Sequence, residues 1–275
     1  MNLIQSFKNS WIFLRLSVRF LIKNKDLIIL PFLSLIVMIA IVSILVSTSF
    51  LELNFLINYF QREPTIFLLG GLFLYFFLVF IVLYFNASMV TCLIHRLQGN
   101  PLSIFKAMRL TLQHTGPLLE WTLLSATVCI ILNALERTHD VVADIIYAIF
   151  GFSWSVTTYF VLPIMIAENI GPINAFKRSI QLIGKGWRKL LSVNFILFLI
   201  LAGIIACVYL IAFLLGQTHQ QIAINLPLIL VLLFLWIIIS KTFSTIYNSA
   251  LYLTINEKEL RGFDEAMLSR FMVKK

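Results

Sequence analysis

The stretch Leu27-Ile28-Ile29-Leu30-Pro31-Phe32-Leu33-Ser34-Leu35-Ile36-Val37-Met38-Ile39-Ala40, continued as Ile41-Val42-Ser43-Ile44-Leu45-Val46-Ser47-Thr48-Ser49-Phe50, holds no charged side chain. As a helix at 1.5 Å per residue it would extend roughly 36 Å, enough to cross a hydrocarbon core of about 30 Å. Its one proline, Pro31, falls in the first turn, where a missing N–H matters least. The rest of the chain has the same character. Of its 275 residues 60% are apolar and 12% charged, whereas a soluble domain is roughly 25% charged. Lipid makes that composition tolerable, and in lipid the backbone must satisfy itself within a helix or a closed barrel.

What precedes the run argues against a cleaved leader. Lys8, Arg15, Arg19, Lys23 and Lys25 make a long basic lead, and no A-x-A-like site follows the apolar run, so the N terminus is expected to be retained. The three cysteines, Cys92, Cys129 and Cys207, all sit in apolar stretches without a C-x-x-C, which argues against a disulfide framework. The net charge of +9 fits a bias of basic residues toward one membrane face and toward anionic lipid headgroups. No basic-aromatic stripe supports nucleic-acid binding.

Six segments are long enough to span: Leu27 to Phe50, Ile66 to Ile94, Pro117 to Leu135, Val141 to Ala167, Leu190 to Leu215, and Ile222 to Ile255. Basic residues orient them. The N-terminal lead contributes five. Arg96, Lys106 and Arg109 lie between spans two and three, and Lys177, Arg178, Lys185, Arg188 and Lys189 between spans four and five. Lys258, Arg261, Arg270, Lys274 and Lys275 follow span six, while the opposite side carries only Arg62 and Arg137. The positive-inside rule then puts both termini in the cytoplasm.

A weak internal repeat organises the spans. Gly99-Asn100-Pro101-Leu102-Ser103-Ile104-Phe105-Lys106 matches Ile170-Gly171-Pro172-Ile173-Asn174-Ala175-Phe176-Lys177 at proline, phenylalanine and lysine, and Ser6-Phe7-Lys8 is related to both. The fold expected is an all-α integral membrane protein: six transmembrane helices as three pseudo-repeats of an interfacial helix plus a hairpin. The units are approximately 1–97, 98–168 and 169–255 in one membrane domain, with 256–275 as a cytoplasmic tail. A further short helix is expected from Gly262 to Met272.

The interfacial helices read as amphipathic. In the third, Asn174, Lys177, Arg178, Gln181, Lys185, Arg188 and Lys189 share one arc, opposite Phe176, Ile180, Ile183, Trp187 and Leu190. The first groups Lys8, Arg15, Arg19 and Lys23 opposite Leu3, Phe7, Trp11, Leu14, Val18 and Leu21. Such helices lie in the headgroup plane, which makes Lys8, Arg15, Arg19, Lys177, Arg178, Lys185 and Arg188 candidate lipid-headgroup contacts. The second, Pro101 to His114, is less regular, because Arg109 falls on its apolar side. Ordinary connecting helices with snorkelling lysines are the alternative.

Polar residues within spans cluster toward the cytoplasmic end of the even-numbered ones, and Lys241, Asn86, Thr157, Thr158 and Asn248 form a candidate crevice for a solute or headgroup. Interhelical hydrogen bonding is the competing explanation, at about 0.6 kcal/mol per contact. Lys241 lies about 22 Å along its span and is expected to snorkel rather than bind an ion. Glu168 is expected to pair with Lys177 or Arg178. His95, His114 and Glu120 are the one combination that could meet for acid–base chemistry, but no nucleophile, metal spacing or cofactor motif accompanies them. Neither a metal nor another cofactor is expected.

The segment from Trp154 to Trp187 resembles a family of uncharacterised prokaryotic multispan membrane proteins, distantly similar to the membrane region beside some glycerophosphodiester phosphodiesterases. Trp154, Thr158, Phe160-Val161, Pro163, Glu168, Gly171-Pro172, Ala175, Lys177-Arg178-Ser179, Leu182 and Trp187 carry the likeness, with Ser10-Trp11 and Ala250-Leu251-Tyr252 outside it. The resemblance implies a bacterial inner-membrane protein without an assigned activity, and it supplies no catalytic residues. Within this segment Pro163 leaves a carbonyl one turn earlier without its donor, which Thr157, Thr158 or Tyr159 is placed to compensate. Pro163, Glu168, Gly171 and Pro172 are therefore expected to form a structural corner or hinge.

The function expected is non-enzymatic: lipid handling, or support of another membrane protein, with the bilayer and anionic phospholipids as partners. A membrane-protein partner or a second copy of the chain is a further possibility. The alternatives are a small transporter using the polar crevice and an interfacial enzyme using the histidines.

Overall fold

The computed structural model describes residues 15–51, 64–137, 141–214 and 219–256. Among them all regular structure is helical. The helices are α1 (the described part, 15–23), α2 (Ile29–Leu51), α3 (Pro64–Leu97), α4 (Ile104–Thr111), α5 (Thr115–Glu136), α6 (Val141–Thr157), α7 (Val161–Glu168), α8 (Pro172–Leu214) and α9 (His219–Ile255). Five segments are long and apolar enough to cross a membrane: Lys25–Ser47, Leu68–Leu97, Ile104–Glu136, Val142–Glu168 and Val231–Ile255. The stretch expected as a further span, 190–215, runs as helix through Leu214 within α8, but most of its side chains lie outside the described residues. So do Lys8, the side chains of Lys185 and Arg188, and the tail, with the short helix expected at 262–272.

Local chemistry sets the boundaries. Gly99 closes α3 at a φ of 87°, its N–H bonded to the Arg96 carbonyl at 3.1 Å; only glycine enters that left-handed region at no steric cost. Asn100-Pro101 then prevents continuation. Ser103 opens α4 as N-cap, its hydroxyl accepting the Lys106 N–H. Asn169 adopts a φ of 52° just past α7, and Pro172 starts α8 at the position where proline is best tolerated.

The chain forms two compact units. One comprises Met1–Ile28, Arg96–Asn100 and Gly184–Lys275, the other Ile29–His95 and Pro101–Ile183. In the first, α9 packs against the short turn Lys25–Ile28. An ion pair ties that turn to the end of α3: Arg96 grips both carboxylate oxygens of Asp26 and donates to Asn24 Oδ1 at 2.9 Å. In the second unit α5 packs along α6, and Trp121 stacks on Trp154, ring centres 5.8 Å apart.

Candidate functional site at the proline corner

Pro163 has no N–H, and its ring crowds the Tyr159 carbonyl one turn earlier. The helix breaks there: α6 ends at Thr157, residues 158–160 form a turn, and α7 begins at Val161. Val161 N–H bonds the Thr158 carbonyl at 3.1 Å, so the Thr157 carbonyl and the Phe160 N–H lose their helical partners. One hydroxyl replaces both. Ser179 Oγ donates to the Thr157 carbonyl at 2.6 Å and accepts the Phe160 N–H at 3.3 Å. Ser179, Phe160 and Val161 are fully buried, where an unmatched backbone group would cost about 1–3 kcal/mol.

Thr157, Thr158 or Tyr159 is the residue expected to answer the carbonyl opposite Pro163; the two threonine hydroxyls do not. Thr157 Oγ1 bonds back to the Ser153 carbonyl at 2.7 Å and Thr158 Oγ1 to the Trp154 carbonyl at 2.8 Å. Their hydroxyls satisfy their own helix, as Ser and Thr commonly do, and a residue from α8 does the bridging. Two further contacts hold α8 in place. Phe176 sits against both Trp154 and Trp121 at 5.6 and 6.4 Å, and Glu168 Oε1 is 3.8 Å from Arg178 Nε. The corner thus unites Trp121, Trp154, Thr157, Phe160, Glu168 and Ser179, with Pro163 buried at its centre.

The arcs drawn from sequence for the start of α8 also need correction. Its buried side is Pro172, Ala175, Ser179, Leu182 and Ile183; of the apolar arc Ile183 is buried as placed, while Ile180 is exposed. A helical wheel cannot separate apolar residues that face protein from those that face lipid, since both environments favour them. The signal that distinguishes them is side-chain size: Ala175 and Ser179 are small residues four apart, which allows close helix approach. Ala107 and Thr111 repeat that spacing in α4. Both are fully buried, and Thr111 Oγ1 lies 3.0 Å from Thr91 Oγ1 on α3. Tyr84 of α3 donates to the Met108 carbonyl at 3.0 Å.

The two helices match in detail. Residues 104–113 and 172–181 alternate buried, half-buried and exposed positions identically. That register sets Ile104 against Pro172, Ala107 against Ala175 and Thr111 against Ser179, three residues out of step with the Pro101–Pro172 alignment. Outward lie Phe105 (82% exposed), Lys106, Arg109 and Leu112 on one, and Ile173 (61%), Lys177 and Ile180 on the other. The irregularity of the second interfacial helix is thereby explained: Arg109 shares an outward face with Phe105 and Leu112, and the inward face is a different one.

The other candidates fall in both units. Arg15 and Arg19 are exposed on α1, while Asn86 is half-buried on α3. In the first unit, Lys241 is exposed on the same stripe of α9 as Phe234 and Ile237, whereas Thr242, Thr245 and Ser249 are buried. Lys241 is therefore not part of the buried polar stripe. Asn248 Oδ1 and Ser249 Oγ are buried without a hydrogen-bond partner among the described residues. His95 Nδ1 lies 2.9 Å from the Thr91 carbonyl of its own helix. Among the described residues no hydrogen bond or ion pair joins His95, His114 and Glu120.

No curated protein and no solved structure matches this chain. One family model does, over residues 66–263, a range that begins near the start of α3 and takes in the whole proline corner and α9. By that match the chain belongs to a family of unknown function, DUF6159.

Proposed function

We propose that this chain is a non-enzymatic, six-span protein of the bacterial inner membrane, both termini cytoplasmic, that organises anionic lipid at the cytoplasmic surface. The observation that carries this reading is the shared pattern of α4 and the start of α8. Each is anchored inward by small residues and presents outward a basic residue between two apolar ones, Phe105–Arg109–Leu112 and Ile173–Lys177–Ile180. Apolar side chains that enter the acyl boundary beside cations that hold phosphates are what an interfacial helix requires. The helical backbone of α8 through 190–214 supports span five, and the excess of Lys and Arg on one side supports the orientation.

Lipid selectivity tests the proposal. In nanodiscs mixing phosphatidylcholine and phosphatidylglycerol, the protein should retain phosphatidylglycerol above its bulk fraction when co-purified lipid is weighed by mass spectrometry. Replacing Lys106, Arg109 and Lys177 by glutamine should abolish that excess. Unchanged enrichment would reject the reading.

A second reading, transport through the inner side of α9, draws on Asn248 Oδ1 and Ser249 Oγ, unpartnered among the described residues. Buried polar atoms without partners are uncommon and call for an explanation. Solute flux into liposomes that falls on Asn248→Ala would favour this reading over the first.

A further inference from the structure

We propose that residues 172–183 of α8 form a lever through which anionic headgroups set the bend of the α6–α7 span. This rests on the lipid reading and adds a regulated element to it. One face of the segment carries Ile173, Lys177 and Ile180, all exposed, and another carries Ser179, which is fully buried in the break. Ser179 is one residue before Ile180 and two after Lys177, so whatever fixes the outward face fixes the hydroxyl as well.

The break has two hydrogen-bonding solutions. In the bent form Ser179 Oγ serves both the Thr157 carbonyl and the Phe160 N–H. In a straight form Val161 N–H would turn to Thr157 and Phe160 N–H to Val156, leaving only the Tyr159 carbonyl opposite Pro163 without a donor. The backbone loses little by exchanging one set for the other, and the position of Ser179 decides between them. Phe176 against the stacked tryptophans and Arg178 beside Glu168 guide the segment toward the bent form. Headgroups drawn to Lys177 supply the remaining restraint.

The equivalent helix α4 provides an internal control. It has the same outward pattern, but its Thr111 meets Thr91 within α3, which runs unbroken from Pro64 to Leu97. Lipid held by α4 has no break to act on.

The test uses the full chain with Cys92, Cys129 and Cys207 replaced by alanine and spin labels on Ile149→Cys and Ile166→Cys. These positions would be about 25 Å apart along a straight helix. Pulsed EPR is run in nanodiscs of phosphatidylcholine alone and with phosphatidylglycerol, beside lipid analysis of the same samples. A short, narrow distance distribution is expected with phosphatidylglycerol, and a longer, broader one without it. Lys177→Gln should give the broad distribution even with phosphatidylglycerol, and Ser179→Ala should give it in both lipids. Phe105→Ser with Arg109→Gln should stay narrow. A distribution indifferent to lipid, with phosphatidylglycerol still enriched, overturns the lever and leaves the lipid reading standing. Loss of enrichment itself overturns the lipid reading and the lever with it. Lys177 is exposed, so its substitution does not depend on refolding a core.

Discussion

Arg96 and Asp26, far apart in sequence, meet as a two-point ion pair in which the guanidinium side chain is 12% exposed and the carboxylate 42%. Arg96 also reaches Asn24 Oδ1, and the Asn24 amide donates to the Phe20 carbonyl at 2.9 Å. Charge counting treats Arg96 as one more cytoplasmic cation, but its charge is answered within the protein. Arg96→Ala should lower stability by about 1–2 kcal/mol, the range of a charge-assisted hydrogen bond discounted for the exposure of Asp26. Asp26→Asn should lose less, because the amide keeps one acceptor. Denaturation of the detergent-solubilised protein measures both, and a double-mutant cycle should return a positive coupling.

The inward and outward faces of α4 should separate cleanly under mutation. Ala107 is fully buried in the packed face, so Ala107→Leu should overpack it and cost about 1–3 kcal/mol. Phe105, on the opposite side, should tolerate serine with little change in stability. Thr111→Val removes the hydroxyl contact to Thr91, worth about 0.6 kcal/mol between membrane helices, together with the bond to the Ala107 carbonyl of its own helix. A large loss from Phe105→Ser in detergent would mean that the outward face is packed against protein after all.

Trp154 tests how packing acts where lipid replaces water. Burial from lipid brings no hydrophobic transfer term, so only the contacts themselves count. Trp154→Ala removes the stack on Trp121 and the contact with Phe176, each aromatic pair worth about 0.5–1.5 kcal/mol. The expected loss is about 1–3 kcal/mol in thermal or chemical unfolding. Trp154→Phe should recover most of it.

Much of this arrangement is legible in the sequence, for identifiable reasons. Uncharged runs such as Leu27 to Phe50 announce membrane helices, because in lipid hydropathy and length leave few alternatives. Pro163 announces the break through the donor it lacks. Ser179 does not announce itself, since a serine amid Lys177, Arg178 and Gln181 reads as part of a solvated face. Its role depends on a carbonyl and an N–H released by another helix, and only the fold brings those together. The same holds for Arg96, whose partner lies on another element. The spacing of Ala175 to Ser179, repeated in Ala107 to Thr111, is the one local signal that separates the buried side of these helices from the exposed side.

Lys241 and Ser249 should respond in opposite ways to what polarity alone suggests. Lys241 shares an exposed stripe with Phe234 and Ile237, so Lys241→Met should aid insertion; a mid-span lysine costs about 2.5–3.5 kcal/mol on insertion scales, less where the chain snorkels. Ser249→Ala removes a buried hydroxyl without a partner among the described residues, and stability should rise by up to about 1 kcal/mol. Glycosylation-mapped insertion and thermal unfolding read the two effects.

Pro163→Ala gives the strictest test of the corner. Alanine restores an N–H that can reach the Tyr159 carbonyl, so a continuous helix through 158–160 loses no hydrogen bond. In that background the hydroxyl of Ser179 has no released groups to serve, and Ser179→Ala should become nearly silent. In the native background the same substitution strands the Thr157 carbonyl and the Phe160 N–H in a buried site, at about 1–3 kcal/mol for each unmatched group, less whatever straightening recovers. The two substitutions should therefore couple by at least about 1 kcal/mol in a double-mutant cycle. Additive effects would mean that Ser179 stabilises α8 locally and does not answer the break made by Pro163.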